Sequence, residues 1–128
     1  MKKKVLIVLS DYYKDISYSL LKTAKSNLKN IKIYKVIRVP GVFEIPVTIS
    51  KYINKVDGVV ALGCVIKGKT PHFEFISMAV TESLINMSIL HKKPIGNGIL
   101  TCLNKKQALS RVNKGKEAAK AALAVLEQ

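Results

Sequence analysis

The group in this chain best suited to moving protons near a phosphate is His72, which stands two residues past the end of an unusual string. That string, Gly63-Cys64-Val65-Ile66-Lys67-Gly68-Lys69-Thr70, satisfies every fixed position of the phosphate-loop pattern G-x-x-x-x-G-K-[ST]. Taken alone it describes a nucleotide triphosphatase, but its details oppose one. Pro71 removes a backbone N–H where the cradle needs donors, and Cys64, Val65 and Ile66 are bulky where a phosphate needs small residues. The stretch after Thr70 is also short for the further strands of such a domain. What survives is anion chemistry: N–H groups at the start of a helix, with Lys67 and Lys69 beside them, favour a phosphate. The helix dipole favours neutral imidazole at His72, whereas an arriving phosphate favours imidazolium. A histidine so placed can take a proton as substrate binds and return it as phosphate leaves. His91, beside Lys92 and Lys93, reads as a solvated residue at a helix C-terminus.

These groups need elements to position them. Residues 5–9 are a continuous β-branched and leucine run ending in Ser10-Asp11, the pattern of a strand buried on both faces of a parallel sheet. Similar runs occupy residues 31–37, 56–62 and 95–102. Between them apolar residues recur at helical spacing, as Ile16, Leu20, Leu21, Ala24 and Leu28, and as Val42, Ile45, Ile49, Tyr52 and Ile53. Pro46 falls in the first turn of the second helix, where it is tolerated. A third and longest helix is expected after Thr70, with Pro71 at its first position and Leu90 near its end. A short helical piece at 105–111 and an Ala-rich helix at 115–126 close the chain. Strict β and α alternation over residues 1–128 predicts one domain, a three-layer αβα sandwich on a four-stranded parallel sheet. Ligands of such sheets bind beyond the carboxyl ends of the strands. That places a site among residues 10–13, 38–44, 63–72 and 96–104.

Composition narrows the partners. Basic residues number 22 against 8 acidic ones, a net charge of +14, so anionic partners are favoured. All the basic residues except Arg38 and Arg111 are lysines spread along the chain, whereas nucleic-acid readers lean on arginine, so nucleic acid is not expected. Cys64 and Cys102 form no C-x-x-C motif and read as reduced, buried thiols, with no metal centre expected. The strand-like runs break at Asp11, Arg38, Lys67 and Thr101, far short of a bilayer span. The basic start followed by residues 5–9 imitates a secretion signal with too short an apolar core, so a cytoplasmic protein without a membrane partner is expected.

Three stretches carry a resemblance to a known family. Val39-Pro40-Gly41-Val42-Phe43-Glu44-Ile45-Pro46, the run from Ala61 to Phe73 and Asn113-Lys114-Gly115 resemble the lumazine synthases, in order and over nearly the whole chain. The resemblance implies a flavodoxin-like fold with strand order 2-1-3-4 and homopentamers with sites between neighbouring subunits. It implies condensation of 5-amino-6-(D-ribitylamino)uracil with 3,4-dihydroxy-2-butanone 4-phosphate in riboflavin biosynthesis, with riboflavin synthase as a further partner and no metal or organic cofactor. Carried over by position, Tyr12 is the aromatic platform for the pyrimidine, and Val42, Phe43 and Glu44 hold the pyrimidine and ribityl chain. Cys64, Val65 and Ile66 meet the pyrimidine edge largely through backbone groups. Lys69 and Thr70 bind phosphate, His72 transfers protons, and Arg111 grips the phosphate from across the subunit boundary. Asn97 falls where many members place an aromatic residue from the neighbouring subunit, and here it can only hydrogen-bond. The sequence begins at its first strand, without the short N-terminal extension common in the family, and residues 111–113 form a shorter linker than usual; both favour a bare pentamer over a shell. A non-catalytic flavin or lumazine carrier of the same fold is the rival reading, and Glu44, His72 and Arg111 together speak against it.

Overall fold

A computed structural model describes residues 2–128. Strand β1 (Lys4–Ser10) leads through α1 (Lys14–Lys25) to β2 (Lys32–Val39). A 3₁₀ turn (Val42–Glu44) then opens α2 (Ile45–Tyr52), and β3 (Gly58–Ile66) is followed by α3 (His72–His91). Strand β4 (Ile95–Cys102), the short α4 (Lys105–Leu109) and α5 (Lys114–Leu126) complete the chain. All strands are parallel, in the order β2-β1-β3-β4, which is the flavodoxin-like arrangement expected.

The strand order decides which apolar runs end up buried. Central β1 has neighbours on both sides, and Val5, Leu6, Ile7, Val8 and Leu9 are fully enclosed. Residues 31–37 read equally apolar, yet β2 is an edge strand that leaves Lys32, Lys35 and Arg38 exposed. Charge on an open edge discourages pairing with another chain. At the opposite edge β4 alternates, with Gly98, Leu100 and Cys102 buried and Asn97 and Thr101 exposed. Alternate residues of β1 face two cores. Val5, Ile7 and Leu9 meet Ile16 and Leu20 of α1 and Ala118 and Ala122 of α5, while Leu6 and Val8 meet Ile45 and Ile49 of α2 and Val80 and Leu84 of α3. Gly96 is a requirement of this packing: a Cβ there would collide with the Ala118 carbonyl, so α5 lies directly on β4.

Two departures from expectation matter for the site. Strand β3 does not stop at Leu62 but runs on to Ile66, taking the first four residues of the phosphate-loop string into the sheet, where they pair with residues 99–102 of β4. A phosphate loop must curl around its anion, and extended ladder-bonded backbone cannot, so geometry removes the triphosphatase reading. Pro71 flanks α3 instead of starting it, and the helix extends to His91, closed by Lys92 in the left-handed region at φ 53°.

The expectation that no apolar stretch reaches bilayer length meets an exception in α3, which is long and apolar enough by length and composition. It is the crossover between paired strands β3 and β4, and Val80 and Leu84 anchor it to the sheet. Ile76 and Met87 pack partly against the same core, whereas Phe75, Met78, Ile85, Ile89 and Leu90 stand exposed. A helix apolar on all sides needs a second surface to bury against.

Candidate active site

The site is built on an overhang. Pairing of β1 with β3 ends at Leu9 and Leu62, while β3 continues four residues farther beside β4 alone. Along residues 63–66 the β1-facing edge of β3 therefore has no strand neighbour, and backbone groups on that edge are open to a ligand. Gly63 permits the crossing there, since a Cβ would strike the Ser10 hydroxyl and press within 2.9 Å of Val42. The turn after β1 is held by Asp11, whose N–H donates to the Val39 carbonyl at 3.0 Å, and by the Ser17 hydroxyl donating to the Ser10 carbonyl.

Around this overhang lies a cavity of about 310 Å³, lined by Tyr12, Tyr13, Gly41, Val42, Phe43, Cys64, Val65, Ile66, His72 and Ile76. Tyr12 is 72% exposed and Phe43 63% exposed, whereas Val42 and Cys64 are buried walls. Glu44 is not among these lining residues, although it is bonded to one of them. Its Oε1 accepts from the Gly41 N–H at 2.9 Å, which fixes the 3₁₀ turn and leaves the other carboxylate oxygen free to accept from a ligand hydroxyl. Glu44 lines instead a neighbouring groove with Pro46, Val47 and residues of α3, which it shares with Phe43.

Lys69 and Thr70 lie in the exposed turn before α3. The His72 N–H donates to the Thr70 hydroxyl at 3.4 Å, so one first-turn donor is already engaged. Lys67 leans 3.9 Å from Glu74, which leaves Lys69 as the cation of this turn without a carboxylate partner among the described residues. The thiol of Cys64 is pushed up to about 12, chiefly by burial and then by neighbouring Cys102, so it stays protonated and acts as wall and not as nucleophile. Both cysteines are free and buried. Among the described residues no three of His, Cys, Asp and Glu gather as metal ligands.

Arg111 and Asn97 are elsewhere. They line a second cavity of about 530 Å³ with Thr81, Thr101, Ser110, Asn113, Lys114 and Glu117, on the open side of β4 and the α4–α5 turn. Asn97 Oδ1 accepts from the Ile99 N–H at 3.0 Å, which turns the amide so that its two N–H donors are free to meet a ligand. Sequence reasoning named Lys114 only as part of a motif and passed over Tyr13, Lys114 and Glu117 as lining residues. For Tyr13 the signal was its place in the 10–13 segment at the end of β1, and for Lys114 its place beside Arg111. Of the predicted residues, Tyr12, Val42, Phe43, Cys64, Val65, Ile66 and His72 share one cavity and Asn97 and Arg111 another, while Glu44 lines the neighbouring groove and Lys69 and Thr70 lie in the exposed turn before α3.

An open parallel sheet with a crevice at the carboxyl ends of its central strands, lined by an aromatic ring, a histidine and main-chain edges, defines a flavodoxin-like protein whose crevice is shaped for a planar polar molecule. Comparison with known proteins narrows this class. Residues 2–128 match the sequence profile of 6,7-dimethyl-8-ribityllumazine synthase. The chain is 44% identical over 137 residues to the 6,7-dimethyl-8-ribityllumazine synthase of Bartonella tribocorum, covering 98% of this chain and 91% of that one. It is 40% identical over 139 residues to that of Agrobacterium fabrum, covering 98% and 94%. It is likewise 40% identical over 136 residues to 6,7-dimethyl-8-ribityllumazine synthase 1 of Rhodopseudomonas palustris, covering 96% and 83%. The chain belongs to the 6,7-dimethyl-8-ribityllumazine synthase family.

Proposed function

We propose that this chain is a transferase of riboflavin biosynthesis that condenses 5-amino-6-(D-ribitylamino)uracil with 3,4-dihydroxy-2-butanone 4-phosphate to 6,7-dimethyl-8-ribityllumazine. The observation that carries the reading is the overhang of β3: an open main-chain edge, a neighbouring aromatic ring and an imidazole meet in one cavity. In this reading Tyr12 stacks on the pyrimidine, the edge at Cys64, Val65 and Ile66 pairs with its polar rim, and Val42, Phe43 and Glu44 hold the ribityl chain. The phosphate of the second substrate rests between Lys69 and Thr70 and the guanidinium of Arg111.

The ring amine attacks the ketone and water leaves to give an imine. Phosphate is then eliminated, and attack of the ribityl-bearing nitrogen closes the second ring with loss of another water. His72 shuttles the protons, and holding two substrates together supplies most of the acceleration. No metal or organic cofactor enters these steps.

Because Arg111 and His72 line different cavities of one chain, the reading places each complete site between two chains, with Arg111 and Asn97 supplied by the neighbour. Two unlike faces meeting repeatedly close a ring, here a pentamer, and the exposed apolar side chains of α3 supply surface for it. We place this chemistry in the cytoplasm, within a single domain. Incubation with both substrates, followed by lumazine absorbance and phosphate release, tests the reading. Stoichiometric formation of both products supports it; binding of the lumazine without turnover replaces it with a carrier.

A further inference from the structure

Two tyrosines stand side by side at the end of β1, and the structure holds them differently. Tyr12 is 72% exposed, and among the described residues its side chain has no hydrogen-bond partner given by the structure. Its one aromatic contact is with Tyr13, whose ring centroid lies 4.9 Å away at an interplanar angle of 75°. Tyr13 is anchored. Its carbonyl accepts the Ser17 N–H at 2.9 Å as the opening bond of α1, and its side chain packs against the core beneath α1 and α5. Helix α1 is itself tied to α4 by Asp15 and Lys105, 3.1 Å apart.

We propose that Tyr13 is a positioning residue, a fixed aromatic brace that sets the orientation of the Tyr12 ring within the substrate cavity. The inference rests on the proposed role of Tyr12 as the stacking platform. A free tyrosine side chain turns about two torsions, and stacking on a ligand must freeze both. A near-perpendicular partner removes part of that freedom beforehand and still leaves at least one face of Tyr12 open. Tyr13 also lines the cavity, so the brace and the platform share one wall. Burial, Tyr12 and Cys64 push the Tyr13 phenol up, so the brace carries no charge at neutral pH.

The test is a double-mutant cycle read with 6,7-dimethyl-8-ribityllumazine as fluorescent probe, using the intact assembled protein. An aromatic pair contributes enough that Tyr13→Leu should weaken probe binding by about three- to tenfold. Tyr13→Phe, which keeps the ring, should bind within about twofold of wild type by the same reasoning. In a Tyr12→Ala background Tyr13→Leu should have little further effect, because no ring remains to be braced. Equal losses from Tyr13→Leu with and without Tyr12, or no loss in either, overturn the proposal. If Tyr13→Leu does not fold, Tyr13→Met carries the same cycle with a more adaptable side chain. Failure of the wild-type protein to bind the probe instead overturns the reading of the site itself.

Discussion

The cavity beside Tyr12 and the cavity beside Arg111 are made of opposite materials. The first is walled by rings and aliphatic side chains, with His72 as its ionisable group apart from thiol and phenols. The second is walled mainly by Arg111, Lys114, Glu117, Asn97, Asn113 and hydroxyls, with Ile99 and Leu100 of β4 as its apolar part. One suits a flat heterocycle and the other an anion, for among the described residues the first has no guanidinium or ammonium group in its lining and the second no aromatic ring. The difference teaches that, under the proposed reading, neither cavity is a whole active site and a second copy of the chain has to complete each one.

The sharpest way to break this division is complementation. Arg111→Ala should lower kcat/KM by about 100-fold through loss of a bidentate charge-assisted contact. Chains carrying Arg111→Ala mixed with chains carrying His72→Ala, then reassembled in equal amounts, should regain activity at roughly a quarter of their sites, because a random ring brings one intact copy of each residue together that often. Activity no higher than the mean of the two variants alone would show that the cavities do not cooperate across chains. His72→Ala alone should slow turnover by about tenfold without unfolding the protein, as removal of one proton shuttle does when proximity carries most of the rate. An unchanged pH–rate profile would take the imidazole out of the chemistry.

Smaller effects refine the contrast. With its Oδ1 bonded to the Ile99 N–H, Asn97 offers a ligand chiefly its neutral amide N–H donors, and loss of one such bond in Asn97→Ala should raise KM by about three- to tenfold. The effect smallest at neutral pH is at the wall made by the two cysteines, since it emerges only in alkali. Burial raises the folded Cys64 thiol from 9.0 to about 12, so the unfolded chain loses this proton first as pH rises. Stability from this group is intact below pH 9 and is lost between there and about 12. Denaturant titrations across that range should show Cys64→Ala losing less stability with pH than the wild-type protein; parallel curves would contradict the assignment.

Much of the scaffold was legible because alternation of buried runs and 3.6-residue periods leaves few arrangements open to a short chain. The run at 95–102 coincides with β4 residue for residue. Burial of β2 was misread because apolarity reports what a strand can tolerate, while edge or centre depends on the order in which strands assemble. The continuation of β3 past Leu62 was obscured by Gly63, a residue type that punctuates strands in isolation but here pairs with Ile99 of β4, and the strand ends at Ile66, just before Lys67 and Gly68. Motif positions led to the Tyr12 and His72 group, which the fold gathers around one cavity. Tyr13 was missed because its contact with Tyr12 is a matter of ring angle, which spacing does not encode.

A last consequence follows from the overhang of β3. If a heterocycle is recognised there through peptide groups, the side chains of Cys64, Val65 and Ile66 answer only to the packing behind them. Such a segment is free to wander through sequence space and can spell out another superfamily's signature, as residues 63–70 do, without acquiring any of its chemistry. Pattern searches keyed to side chains will misfile proteins of this kind, whereas the relative lengths of adjacent strands would sort them correctly.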